Sequence, residues 1–207
     1  MKKILSILAT SSMLSGAAIA GNVDSPVIAD VVPVASAAAA DWGGFYAGGQ
    51  IGFAGGTQDY VNPDFFNDLE SETTYGGFAG YNIQSGSMVY GIEGAYSSGG
   101  LAPVGFANES HTYFGDIKGR VGYAFDNILV YGFTGWSLSE FDNVVDEPKS
   151  MSGMNFGAGV DVLLGESLFV GAEYMSRNLS GDGNTSQVGQ TRESVIQAGQ
   201  IRVGWKF

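Results

Sequence analysis

The sequence predicts an all-β protein, an eight-stranded antiparallel transmembrane up-and-down β-barrel with short periplasmic turns and long extracellular loops. Eight segments alternate apolar and polar residues with period two, as strands with one apolar face do. Each segment runs for about 10 residues or more, close to the 9–11 residues that a tilted strand needs to cross a bilayer. The connections between them are alternately short and long, as in outer-membrane barrels.

The N-terminus has the three parts of a secretory signal peptide. Two lysines form a charged n-region, a short and mostly apolar h-region follows, and Ala18 and Ala20 supply a small-x-small cleavage pattern. The apolar stretch is shorter than the roughly 20 residues that a transmembrane helix needs. We therefore assign residues 1–20 to a signal peptide. A second run of small residues, 37–40, could also be cleaved, so the sequence is compatible with two mature N-termini.

After the signal peptide, residues 21–41 contain two prolines and no aromatic residue, and they predict a flexible periplasmic leader. The barrel is predicted over residues 42–207. Its strands are predicted at residues 44–54, 74–83, 88–97, 112–124, 128–138, 152–164, 167–178 and 194–207. The short turns lie at 84–87, 125–127 and 165–166, and the long loops at 55–73, 98–111, 139–150 and 179–193. An even number of strands places both ends of the barrel on the periplasmic side.

Composition supports strands over helices and excludes several classes of function. The chain has 33 glycines, 13% aromatic and only 14% charged residues, and an interior helical glycine costs about 1 kcal/mol relative to alanine. A soluble β-sandwich has the same period with the faces reversed, but so few charges would solvate its surface poorly. The net charge of −12 argues against nucleic acid as a partner. Without cysteine there are no disulfides and no cysteine-based zinc sites.

Seven charged residues are directed by the alternation into the barrel lumen, together with three amides. They are Glu93, Asp116, Lys118, Arg120, Asp161, Glu173 and Arg202, with Gln50, Asn155 and Gln200. An eight-stranded barrel is just wide enough for side chains to fill it, and unpaired buried charges are costly. These groups should therefore pair with one another. The pairs could form a network that closes the lumen, or a gate that admits small ions.

The four long loops carry most of the remaining carboxylates. These are Asp59, Asp64, Asp68, Glu70, Glu72, Glu109, Glu140, Asp142, Asp146, Glu147, Asp182 and Glu193, against two cations, Lys149 and Arg192. Carboxylates could bind divalent cations of the lipopolysaccharide layer, but no loop has EF-hand spacing, and solvation explains exposed loop charges equally well. We predict no metal site and no cofactor.

The single histidine, His111, follows Ser110 at the end of the second predicted loop. A serine–histidine pair could activate a nucleophile in a lipid-modifying hydrolase. Adjacent residues near a strand end point to opposite faces, however, so these two side chains should not meet. We predict a solvated histidine and no enzymatic activity.

Aromatic residues are predicted to form two interfacial belts. The periplasmic belt comprises Trp42, Phe45, Tyr81, Tyr123, Trp205 and Phe207, and the outer belt Phe53, Tyr75, Tyr96, Tyr113 and Tyr174. A nucleic-acid stacking platform would need interleaved basic residues, which are missing here.

Both ends of the predicted barrel resemble a known family. Residues 41–53, DWGGFYAGGQIGF, contain the W-x-G-x-Y-x-G stretch with which alphaproteobacterial porin-like outer-membrane proteins and opacity-protein-like surface antigens commonly open. The last strand, with Ile201, Val203, Trp205 and Phe207, resembles that family's ending, which the barrel assembly machinery reads. The resemblance covers residues 42–207.

The resemblance implies export to the cell outer membrane and contact with outer-membrane lipid, lipopolysaccharide and the assembly machinery. It also implies a structural or surface-antigen role, with extracellular loops available to host or phage ligands. A narrow porin-like channel for ions or small solutes is the alternative.

Overall fold

A computed structural model describes residues 40–61, 65–105, 109–143, 146–182 and 191–207. They form a closed barrel of eight antiparallel strands in sequence order, with the last strand paired to the first. The strands are β1 (Gly44–Val61), β2 (Phe65–Ser85), β3 (Met88–Leu101), β4 (Glu109–Phe125), β5 (Ile128–Asn143), β6 (Asp146–Leu164), β7 (Leu168–Asp182) and β8 (Thr191–Lys206). The predicted fold class is confirmed. Over the described residues, no helix is long and apolar enough to span a membrane.

The strands extend further at their extracellular ends than the sequence pattern predicted. β1 stays paired with β2 as far as Tyr60 and Phe65, and β4 pairs with β5 up to Glu109 and Asn143. At about 3.3 Å per residue, the 18 residues of β1 measure about 59 Å, which even with barrel tilt exceeds an apolar band about 25 Å tall. The predicted long loops are therefore largely paired strands that project beyond the membrane.

The short connections lie where they were predicted. Gly86 in the β2–β3 turn has a φ of 60° and Asp126 in the β4–β5 turn has a φ of 56°. Glycine adopts this left-handed conformation without cost, and Asp and Asn adopt it more readily than other residues. The sharp turns keep consecutive strands in the register that directs alternate side chains inward.

The apolar face of the barrel points outward and the charged face inward, which is the arrangement of a membrane barrel. On β1, Phe45 is 67% exposed whereas Tyr46 is 3% exposed, and on β4, Ile117 is 62% exposed whereas Lys118 is fully buried. A soluble barrel would show the opposite orientation.

Most residues of the two predicted aromatic belts lie on the outward face. Ten of the eleven predicted residues do so, although Tyr113 is half-buried and stacks on Tyr96 with ring centroids 5.8 Å apart. The assignment of Trp42 to the belt was wrong. Its indole is 1% exposed and packs inside the periplasmic end of the barrel, against Phe169.

Apolar side chains fill the lumen at both ends, with the charged residues between them. Near the short turns, the lumen holds Trp42, Val89, Ala124, Leu129 and Leu163. Toward the extracellular end it holds Leu69, Leu101, Phe114, Met151, Leu179 and Ile196. The interior is therefore a packed core with a polar middle layer.

Candidate functional site

The polar middle layer is built by strand register and alternation. Glu93 on β3 lies directly opposite Lys118 on β4, and Glu173 on β7 lies opposite Gln200 on β8. Because inward positions recur every second residue, Arg120 and Arg202 point into the same layer from β4 and β8. We call the six charged residues Glu93, Lys118, Arg120, Asp161, Glu173 and Arg202 the central network.

Glu93 contacts all three cations of the central network. Its carboxylate lies 2.7 Å from Lys118 Nζ, 2.8 Å from Arg120 Nη1 and 2.6 Å from Arg202 Nη2. The side chain is fully buried. Hydrogen bonds between ionised groups are about twice as strong as neutral ones, so Glu93 holds the network together.

Glu173 and Asp161 complete the charge balance. Glu173 accepts hydrogen bonds from Lys118 Nζ at 2.7 Å and from Arg202 Nη1 at 2.7 Å. Asp161 accepts one from Arg120 Nη2 at 3.0 Å. The central network thus pairs three carboxylates with three cations, and every member contacts a group of opposite charge.

Aromatic rings support each cation of the central network. The Arg202 guanidinium lies 3.9 Å from the ring centroid of Phe78, that of Arg120 lies 3.8 Å from Tyr131, and Lys118 Nζ lies 4.8 Å from Phe133. Cation–π contacts of desolvated groups contribute about 2 kcal/mol. These aromatic residues were missed among the predicted site residues, although their positions in the alternation place them inside.

Two tyrosine hydroxyls extend the hydrogen-bond network. Tyr46 OH donates to Glu93 at 2.9 Å and accepts from Arg120 Nη1 at 2.6 Å. Tyr131 OH donates to Glu173 at 3.0 Å. Glu93 and Glu173 are therefore bonded to hydroxyls as well as to cations, as is usual for buried polar groups.

Glycines on neighbouring strands make room for the lumen rings. The Phe169 ring lies over Gly204, and the Phe78 ring lies over Gly48, so that a Cβ at either glycine would overlap the ring. The same holds for Tyr46 over Gly80, Tyr131 over Gly159 and Phe133 over Gly157. Because an eight-stranded barrel is just wide enough for side chains to fill it, these rings fit over positions without a side chain, which accounts for part of the high glycine content.

Asp116 lies outside the central network, although the sequence placed it with the other inward charges. Its partner is Arg177 on β7, which donates from Nε at 2.9 Å and from Nη2 at 2.7 Å, and Ser137 Oγ also donates to it at 2.6 Å. We call Asp116 and Arg177 the upper pair. Arg177 was missed, yet it stands four residues after Glu173, at an inward position. The central network and the upper pair together hold four carboxylates and four cations.

The three amides that the alternation predicted to point inward do lie in the lumen. Gln50, Asn155 and Gln200 are all buried. Gln200 Nε2 donates to Glu173 at 2.9 Å and to Gln50 Oε1 at 3.2 Å, while Asn155 Nδ2 donates to Ser137 at 2.8 Å. They join the two charged groups to the surrounding polar side chains.

The expectation of a solvated loop histidine was wrong. His111 lies on β4 and is fully buried, because the strand extends beyond the outer-belt residue Tyr113 as far as Glu109. Its Nδ1 lies 2.9 Å from Ser139 Oγ on β5 and its ring stacks on Phe114. Burial, with Arg192 and Arg177 nearby, lowers the pKa of His111 to about 3. This extracellular extension of β4 therefore carries a neutral histidine.

The outward faces of the strand extensions carry exposed carboxylates. Asp59, Asp68, Glu70, Glu72 and Glu193 are exposed and Glu140 is half-buried. Arg192 is buried, so its prediction as a loop cation was wrong. The side chains of Asp64, Glu109, Asp142, Asp146, Glu147, Lys149 and Asp182 lie outside the described part of the structure. Within that part, no group of three acidic or histidine side chains is placed to hold a metal ion.

The remaining predicted residues lie at the two ends of the chain. Ala18 and Ala20, with the rest of the predicted signal peptide, are outside the described residues. Ile201, Val203, Trp205 and Phe207 all face outward from the end of the barrel, and Phe207 N–H donates to the Phe45 carbonyl at 2.9 Å. Reading of these residues by the assembly machinery stays a prediction.

Comparison with known proteins gives a consistent result. The outer membrane protein beta-barrel domain family matches residues 29–207. A 22 kDa outer membrane protein of Rhizobium leguminosarum bv. viciae is 32% identical over 181 residues, covering 82% of this chain and 80% of that protein. A 25 kDa outer-membrane immunogenic protein of Brucella abortus is 28% identical over 187 residues, covering 84% of each chain. The crystal structure of outer membrane protein OprG from Pseudomonas aeruginosa superposes with a TM-score of 0.54 at 12% identity, over 83% of this chain and 98% of that one. That likeness shows the fold alone.

Proposed function

The chain belongs to the outer membrane protein β-barrel family and lies in the outer membrane, and on this premise we propose that it is a structural and surface-exposed protein with a closed lumen. The observation that carries the proposal is the central network. Its six charged side chains are at most 4% exposed. They lie between two apolar layers of the lumen.

Passage of a solute would require the central network to separate. Glu93 and Glu173 share both Lys118 and Arg202, so moving one cation breaks contacts to two carboxylates at once. Leaving a buried charge without its partner costs about 3–5 kcal/mol. A solute would also have to displace the apolar layers above and below, which supports a structural role for the network.

The surface role rests on the strand extensions. They project beyond the lipid-facing band with exposed carboxylates at Asp68, Glu70 and Glu72. The Brucella relatives carry the name immunogenic. We propose from that name only that the strand extensions of this chain are accessible to antibodies and to host or phage ligands.

The remaining partners follow from the outward face. The exposed apolar side chains would contact outer-membrane lipid and lipopolysaccharide, and the last strand would engage the barrel assembly machinery. We propose no enzymatic activity, since His111 and Ser139 are both buried in the lumen, where a lipid substrate has no access. A narrow porin-like channel is the second candidate, favoured by the continuous polar layer that Gln50, Gln200 and Glu173 extend across the barrel.

The sign of a permeability change separates the two candidates. In the source bacterium, we expect deletion of the gene to increase nitrocefin hydrolysis by a periplasmic β-lactamase, because the envelope loses a sealed component. The wild-type gene should restore the original rate. Loss of a porin would instead slow nitrocefin entry, and a slower rate in the deletion strain would overturn the structural proposal.

Surface exposure can be tested because the chain has no native cysteine. We expect a cysteine introduced by Glu70→Cys to react with a membrane-impermeant maleimide on intact cells. A cysteine introduced by Ser85→Cys, at the periplasmic end of β2, is the matched control and should react only after the outer membrane is permeabilised. The reverse pattern would contradict the proposed orientation.

A further inference from the structure

The segment just before β1 spans the periplasmic end of the lumen. Ala40 N–H donates to the carbonyl of Asp126 in the β4–β5 turn at 2.7 Å. The Ala40 carbonyl accepts from Gln84 Nε2 near the end of β2 at 3.1 Å. One anchor lies in the β4–β5 turn and the other near the end of β2, so the segment is fixed at two separate points of the barrel rim.

Trp42 is the side chain that this segment inserts into the barrel. Its backbone N–H donates to Gln84 Oε1 at 2.6 Å, and its carbonyl accepts from Asn82 Nδ2 at 3.1 Å. The indole meets the Phe169 ring edge-on, with centroids 6.1 Å apart. Trp136 and Trp205 are 52% and 51% exposed on the outward face, whereas Trp42 is 1% exposed. The indole therefore closes the lumen and does not serve as an interfacial anchor.

A small cavity of about 10 Å³ separates Trp42 from the central network. It is lined by Trp42, Tyr46, Asn82, Arg120, Asp161, Phe169 and Lys206. Arg120 and Asp161 are members of the central network, so solvent that entered this cavity would reach the network directly.

We propose that Trp42 is a stopper that separates the central network from the periplasm. Its indole lines the small cavity together with Arg120 and Asp161, which are bonded to each other. With the indole in place, periplasmic solvent does not reach this ion pair. The inference goes beyond the closed lumen by assigning its periplasmic closure to one side chain.

The stopper is tested by isolating the fluorescence of Trp42. The variant Trp136→Phe/Trp205→Phe leaves Trp42 as the single tryptophan of the mature chain. Refolded into phosphatidylcholine vesicles, it should emit at short wavelength and resist quenching by iodide. Quenching as strong as that of free tryptophan would overturn the stopper.

A cysteine reporter tests whether the indole itself provides the seal. Ala124→Cys places a thiol among the buried periplasmic lumen residues. In that background we expect Trp42→Ala to raise the labelling rate by a charged methanethiosulfonate tenfold or more. Trp42→Phe keeps an aromatic ring, so its rate should stay within about threefold of the parent. Equal labelling of the Trp42→Ala and parent proteins, both showing the heat-dependent gel shift of a folded barrel, would refute the seal.

Neither measurement records the passage of a solute through the barrel, so failure of the stopper is distinguishable from failure of the closed-lumen proposal.

Discussion

The central network and the upper pair are two solutions to the same problem of placing charge in a narrow barrel. In the central network each cation contacts two carboxylates or more. In the upper pair Arg177 binds Asp116 through two parallel hydrogen bonds, and Ser137 adds a third. The central network therefore connects five strands, β3, β4, β6, β7 and β8, whereas the upper pair connects two, β4 and β7.

The largest effect is expected from Arg202→Ala. This substitution removes hydrogen bonds to Glu93 and Glu173 and the stacking on Phe78. Breaking a buried ion pair by removing one partner costs about 3–5 kcal/mol, and we expect a loss of that size in the free energy of unfolding. Urea unfolding in lipid vesicles, followed by tryptophan fluorescence, measures it.

Arg202→Lys is the matched control for that prediction. It keeps the charge but loses the planar fork that reaches two carboxylates, so we expect an intermediate loss of stability. Equal stability of Arg202→Ala and wild type would show that the network contributes nothing to the barrel.

Double-mutant cycles should separate the two regions. Asp116→Asn and Arg177→Met should each cost about 3 kcal/mol, but the double variant should recover much of this loss, because no described ion-pair partner is left behind. Glu93→Gln with Arg202→Met should recover a smaller part, since Lys118, Arg120 and Glu173 each lose one of their contacts although the pairs Lys118–Glu173 and Arg120–Asp161 remain. Unfolding free energies of the singles and doubles give the coupling energies. Equal recovery of the free energy of unfolding in both regions would contradict the difference between the central network and the upper pair.

A smaller effect is expected where a glycine makes room for a ring. Gly204→Ala would force Phe169 away from its position, and overpacking of a core costs about 1–3 kcal/mol. Gly199→Ala is the matched control on the same strand, where a Cβ has no atom within 4 Å. Thermal unfolding should show a loss for the first and almost none for the second. A similar loss for both variants would assign the effect to the strand, not to the ring.

The smallest effect is expected at the exposed carboxylates. Glu70→Gln lies on a strand extension outside both charged regions, and surface substitutions of this kind change stability by less than about 0.5 kcal/mol. The same urea titration checks it. A loss of more than 1 kcal/mol would mean that the extension takes part in holding the barrel together.

The membrane-spanning part of the fold could be predicted from the sequence because there the side chains that face lipid must be apolar. Phe45 and Ile117 face lipid while Tyr46 and Lys118 face the lumen, so period two is visible over the whole span. Beyond the membrane the alternation of apolar and polar residues is no longer required, since both faces of a strand can be polar. That is why residues such as Asp68 and Glu70 were predicted in a loop although they continue β2.

The inward direction of the charges could also be predicted, but their partners could not. Alternation fixes the face of each residue, whereas pairing depends on the strand stagger of a closed barrel. Thus Asp116 was grouped with residues that it does not bind, and Arg177 was overlooked although it occupies an inward position. Trp42 precedes the first strand, where no alternation of apolar and polar residues indicates which way a side chain points. Its insertion into the lumen therefore could not be predicted from the sequence.

The most direct test of the closed lumen is single-channel recording of the refolded protein in a planar bilayer. The heat-dependent gel shift would first establish that the inserted protein is folded. The structure predicts no conductance steps from wild-type protein, because the central network and both apolar layers fill the lumen. Reproducible small steps that change when Arg120 or Glu173 is neutralised would contradict the closed lumen and make the network an ion pathway.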